Sequence, residues 1–158
     1  MKTILFVCTA NQCRSPMAEG LMRHKLEREG RADEIRAASA GVDALNGCRA
    51  TGNAIHTMAE RGIDITAHRS RAITAEILED AALILTMERA HANAIRTLFP
   101  AHAPRVYLLT QMAGLDGDVD DPVGGTLERY NHTAQEIERL IETGYANMMQ
   151  WVEGGSHE

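Results

Sequence analysis

The apolar run Ile4-Leu5-Phe6-Val7 leads directly into Cys8, five small or polar residues, and then Arg14-Ser15-Pro16. The run is short, partly β-branched and aromatic, and it stops at a polar turn. It therefore reads as a strand buried on both faces, the kind found in parallel sheets. Beyond the turn, Met17, Ala18, Leu21, Met22 and Leu26 recur at helical spacing up to Gly30. Ser15 suits the N-cap of that helix and Pro16 its first position. Strand, loop and helix follow one another without a linker, which predicts an α/β unit with the loop at the carboxyl end of its first strand.

The remaining chain extends the pattern. Further strands are expected over 35–40, 83–85 and 106–109, and helices over 50–61, stopped by Gly62, and over 88–98. A last long helix is expected from Leu127, where Tyr130, Ala134, Ile137, Ile141 and Met148 share one face with it. Alternating strands and helices predict a three-layer α/β fold with a central four-stranded parallel sheet flanked by helices. With no repeat or linker in its 158 residues, the chain reads as one domain over 1–152 followed by a polar C-terminal tail over 153–158. Ligands of such folds bind at the carboxyl ends of the strands, where Cys8 stands.

The formal net charge of -6 and pI near 5.6 argue against nucleic acid or an anionic membrane surface as a partner. An anion must therefore be caught locally. The first residues are too little apolar for a signal-peptide core. The odd set of three cysteines, Cys8, Cys13 and Cys48, suits reduced thiols rather than a disulfide framework, so a cytoplasmic protein is expected. His24, His56, His91, His102, His132 and His157 receive no role; they show no pairing with cysteines that would make a zinc site, and no metal is expected.

The segment 9–15 has the makings of an anion cradle. Backbone N–H groups of a tight loop and the positive end of the following helix converge on one point. Arg14 adds a planar fork matched to two phosphate oxygens. The same positive surroundings favour the thiolate form of Cys8, and the Ser15 hydroxyl is placed to donate to it. A cysteine after an apolar strand is often only a packing residue. The arginine six positions on, the Ser-Pro helix start and the Asn within the loop point instead to a nucleophile.

At this point the chain resembles the low-molecular-weight protein tyrosine phosphatases, whose Cys-x5-Arg-Ser loop near the N-terminus matches Cys8 to Ser15. The resemblance continues through Ser39-Ala40-Gly41, through His68 in Ile65-Thr66-Ala67-His68, and through Asp121-Pro122 with Val123-Gly124-Gly125 and a final helix. It implies a cysteine-dependent protein phosphatase that hydrolyses phosphotyrosine through a phosphocysteine intermediate, without a cofactor. Cys8 is then the nucleophile, Arg14 the phosphate ligand and Asp121 the acid that protonates the leaving group and later activates water. The phosphate is bound by Thr9, Ala10, Asn11, Gln12, Cys13, Arg14 and Ser15, so inorganic phosphate or a similar oxyanion should also occupy the loop. Without the resemblance, the acidic segment 116–121 is an ordinary solvated turn, and it lacks the spacing of a calcium loop.

The resemblance further implies that Asn11 adopts a left-handed conformation and is tied to Ser15, Ser39 and His68. This suits the tolerance of Asn for positive φ. Cys13 matches a second loop cysteine that can form a reversible disulfide with the nucleophile, although a small packing residue fits the position equally well. Specificity falls to Gln12, Leu45 and Val123. The aromatic clamp of eukaryotic members is missing at Val123. Many bacterial relatives share the Gly-Gly, protein-arginine phosphatases among them, so phosphoarginine is the alternative substrate. Gln12 matches neither the threonine of those enzymes nor the aliphatic residue of tyrosine-directed ones. Arsenate reductases use the same cradle but need resolving cysteines downstream, and none follows Cys48. A non-catalytic phosphate-binding module would be expected to lack the nucleophile or the acid.

Overall fold

The structure, a computed structural model, describes residues 1–154. Four parallel strands, β1 (Lys2–Cys8), β2 (Ile35–Gly41), β3 (Ala81–Thr86) and β4 (Val106–Leu108), form one sheet in the order β2-β1-β3-β4. Strand β1 is central, and its alternating side chains enter two separate cores. Ile4 and Phe6 pack with Met17, Leu21, Ile137 and Ile141 on one face, under helices α1 (Arg14–Arg28) and α6 (Leu127–Gly154). Leu5 and Val7 pack with Leu78, Ala92 and Ile95 on the other, under α3 (Ala75–Asp80) and α4 (Arg89–Leu98). Burial on both faces explains why the strand is a continuous apolar run rather than an alternating one. The three-layer α/β architecture with a four-stranded parallel sheet is the one the sequence predicts.

Several boundaries differ from expectation for local reasons. Helix α1 begins at Arg14, with Cys13 in the capping position and the Met17 N–H donating to the Cys13 carbonyl at 3.2 Å. Ser15 is not the N-cap, because its hydroxyl is engaged by Cys8 and Asn11. Pro16 is tolerated in the first turn, where an N–H has no helical partner to lose. Helix α2 (Gly52–Ala59) starts later than expected, capped by Thr51, whose Oγ1 accepts from the Ala54 N–H. Leu109 leaves the sheet and opens α5 (Leu109–Met112), where Gln111 Oε1 accepts the Leu108 N–H. The short α3 and a 3₁₀ turn over Pro100–Arg105 add to the elements that the sequence pattern predicts. Helix α6 continues through Glu153 and Gly154, so the tail expected from 153 starts as helix; residues 155–158, including His157, lie outside the described residues. Among the described residues no helix is long and apolar enough to cross a membrane.

Candidate active site

The loop between β1 and α1 closes around Asn11, which is fully buried and is the non-glycine residue with positive φ, 59°, among the described residues. That conformation aims the Asn11 N–H at Cys8 Sγ, 3.3 Å away. Ser15 Oγ lies 2.9 Å from the same sulfur and accepts from Asn11 Nδ2 at 2.8 Å, leaving its hydroxyl hydrogen for Cys8. The sulfur thus sits between two donors. Asn11 Nδ2 also donates to Ser39 Oγ at 2.9 Å, and His68 Nε2 donates to the Asn11 carbonyl at 2.7 Å. Asn11, Ser15, Ser39 and His68 are thus brought together in one hydrogen-bonded group.

Three further residues complete the support. The Arg71 N–H donates to Asn11 Oδ1 at 3.0 Å, and Arg71 Nε donates to the Ser39 carbonyl at 3.0 Å. Ser39 Oγ in turn donates to Glu19 at 2.6 Å. Gly41 lets β2 approach the loop. A Cβ there would stand 2.4 Å from the Thr9 carbonyl oxygen and 3.0 Å from the Asn11 nitrogen, closer than a side chain allows.

Arg14 is buried to 1 % exposure. Its Nη1 donates to the Val119 carbonyl at 2.7 Å and pairs with Glu88 Oε2 at 2.6 Å, while Nη2 faces Asp121 Oδ2 at 3.5 Å. Asp121 accepts the Val123 N–H on its other oxygen at 3.1 Å, a turn that fixes the carboxyl orientation. Residues 14 and 121 are far apart in sequence and share one cleft.

His91 corrects the expectation that it has no role. It is buried at the start of α4, its Nδ1 accepts the Glu88 N–H at 3.1 Å, and its Nε2 lies 2.9 Å from Thr9 Oγ1. With Nδ1 accepting, the proton rests on Nε2, which donates to Thr9. Burial holds the imidazole below its usual range, only partly offset by the Glu88 carboxylate, and so keeps it neutral. The one sequence signal for Glu88 and His91 is their place just after β3, at the carboxyl edge of the sheet.

Cys13 Sγ contacts Tyr130 OH at 3.3 Å, and Thr51 Oγ1 donates to the same phenol at 3.2 Å. Burial pushes the Cys13 thiol up, and it is the main cause that pushes the Tyr130 phenol up to about 12. Cys8, Thr9, Ala10, Gln12, Cys13, Arg14, Asp121 and Val123 line a cleft of about 160 Å³. Gln12 and Val123 therefore reach it, Val123 at 58 % exposure on the rim. Leu45 does not line the cleft. It is 77 % exposed on the loop after β2, where its carbonyl accepts the Ser70 hydroxyl and its side chain is left to solvent.

A cysteine sulfur held between two donors, a buried guanidinium and a carboxyl facing that guanidinium thus line one small cleft. The chain is 40 % identical over 139 residues to a protein-arginine-phosphatase of Bacillus subtilis (strain 168), covering 87 % of this chain and 91 % of the relative. It is 37 % identical over 147 residues to an arsenate reductase of Bacillus cereus (strain G9842), covering 90 % and 96 %. A low molecular weight protein tyrosine phosphatase from T. tengcongensis superimposes with a TM-score of 0.88 at 38 % identity, covering 93 % of this chain and 99 % of that one. The family described as low molecular weight phosphotyrosine protein phosphatase matches residues 3–151, and the chain is a phosphatase belonging to that family.

Proposed function

We propose that the chain hydrolyses phosphorylated protein side chains, phosphotyrosine first, in two steps. The Cys8 sulfur attacks phosphorus in line, the bond from phosphorus to the leaving group breaks, and Asp121 gives its proton to that group. Asp121 then takes a proton from water, which attacks the phosphocysteine, releasing phosphate and restoring Cys8. Arg14 and the loop amides carry the charge on the equatorial oxygens. The observation that carries this reading is that Cys8, Arg14 and Asp121 line one cleft, with Arg14 Nη2 3.5 Å from the Asp121 carboxyl.

One observation favours a second substrate, phosphoarginine. The residues lining the cleft include no aromatic ring to stack on a phenol, whereas the Gln12 amide and Asp121 carboxyl offer polar partners to a guanidinium. Cys13, in the same cleft, remains the proposed partner for a reversible disulfide with Cys8. A peroxide would convert the Cys8 thiolate to a sulfenic acid with loss of hydroxide, and the Cys13 thiol would then attack that sulfur and release water to close the disulfide. The three cysteines are free, which supports the cytoplasmic reading.

Purified protein tested on matched phosphotyrosine and phosphoarginine peptides, with Cys8→Ser as control, decides the substrate. Faster release from phosphotyrosine is expected. A reversed preference assigns the site to phosphoarginine, and equal rates for wild type and Cys8→Ser reject the enzyme reading.

A further inference from the structure

Behind the catalytic loop, at the open edge of β2, lies a second cavity of about 360 Å³. Arg36, Arg69, Arg71 and His68 line it, together with Glu19 and Ser39. Three arginines against one carboxylate are a local excess of positive charge in a chain of formal net charge -6. Among the described residues, none of the three has a carboxylate within ion-pair distance. Arg36 donates to Thr3 Oγ1 at 3.2 Å, Arg69 to the carbonyls of Thr66 and His68, and Arg71 to the carbonyl of Ser39. Glu19 is directed elsewhere, accepting from Ser39 and facing Arg23 on α1 at 4.0 Å.

We propose that this cavity is a second anion site, taking a small multiply charged oxyanion of the diphosphate class, and that its occupancy is felt by the catalytic loop. The size falls within the range of small-ligand sites, and guanidinium forks match phosphate oxygens two at a time. The route to the loop is a set of direct hydrogen bonds. Arg71 and His68 line the cavity and also hold Asn11, the Arg71 N–H on Oδ1 and His68 Nε2 on the carbonyl. An anion that draws the Arg71 guanidinium from the Ser39 carbonyl loosens the brace behind the one left-handed residue that directs an N–H at Cys8.

The test uses methylenediphosphonate, which cannot be hydrolysed at its bridge, on the wild type and an Arg36→Gln/Arg69→Gln variant, neither residue being part of the catalytic cleft. Calorimetric titration should give one more bound equivalent in the wild type than in the variant. Thermal melts check that the variant is folded. With saturating p-nitrophenyl phosphate, the ligand should lower kcat at least twofold in the wild type and leave it unchanged in the variant. Equal stoichiometry overturns the site. A wild-type kcat unmoved by the ligand overturns the coupling. The binding count needs no turnover, so its failure bears on this cavity and not on the phosphatase reading.

Discussion

Arg14 Nη1 meets Glu88 Oε2 at 2.6 Å, with the guanidinium buried and the carboxylate at the start of α4. The pair, with the Val119 carbonyl, holds the guanidinium in one orientation. Breaking it by removing the charge alone should show in catalysis. Glu88→Gln should lower kcat/KM for p-nitrophenyl phosphate about tenfold, or about 1.4 kcal/mol, which lies near the range for hydrogen bonds to charged groups. An unchanged kcat/KM would mean that the Val119 carbonyl alone orients the guanidinium.

His91 ties acid stability to the loop through Thr9. Its folded-state affinity for protons is lowered by burial, so below its ordinary value of 6.5 the unfolded chain binds the proton more tightly. The contribution of the neutral imidazole is therefore complete above about pH 6.5 and is lost as pH falls through the lower folded value. Urea midpoints measured from pH 7.5 to 5 should decline in the wild type. In His91→Gln they should start lower and decline less steeply. Parallel slopes would remove His91 as a source of the pH dependence.

Asn11 contributes both a backbone conformation and a side-chain network, and two substitutions separate them. Asn11→Ala loses the bonds to Ser15, Ser39 and the Arg71 N–H and also places a Cβ at φ 59°. Asn11→Gly loses the same bonds without that conformational cost of about 1 kcal/mol. Both should lose more than tenfold in kcat, with Asn11→Gly the more stable by denaturant titration. Wild-type kcat in Asn11→Gly would show that the network is dispensable.

Gly41→Ala should be among the more damaging single-methyl changes in the chain. The added carbon meets the Thr9 carbonyl oxygen at 2.4 Å and Ala44 Cβ at 2.9 Å, and the first of these is backbone that cannot rotate away. A loss of about 1–3 kcal/mol in unfolding free energy is expected, together with reduced kcat because the displaced atoms belong to the loop. A stability within error of wild type would contradict the close packing of β2 on the loop.

What could be read from the sequence divides along the range of the interactions. The run 4–7, the Cys8–Arg14 spacing and the helical period after Pro16 are local signals, and they locate the loop at the end of a buried strand. Leu45, which does not line the cleft, and His91, which packs against the loop, lie beyond such local signals. Whether a loop residue turns toward a cleft depends on what holds its backbone, here Ser70 for Leu45, and whether a histidine is buried depends on the partner across the sheet edge, here Thr9 for His91. Glu88, Arg71 and Tyr130 joined the site across 74, 60 and 117 residues from Arg14, Asn11 and Cys13, separations at which a single sequence carries no pairing information.

In the proposed reaction Cys8 becomes phosphorylated, and Asp121 drives both the formation and the breakdown of that intermediate. Asp121→Asn mixed with p-nitrophenyl phosphate, quenched in acid within one turnover and analysed by peptide mass spectrometry measures this directly. The expected result is a phosphoryl adduct on the peptide carrying Cys8, with steady-state turnover slowed. Turnover at the wild-type rate in Asp121→Asn, or hydrolysis surviving in Cys8→Ser, would contradict the assignment.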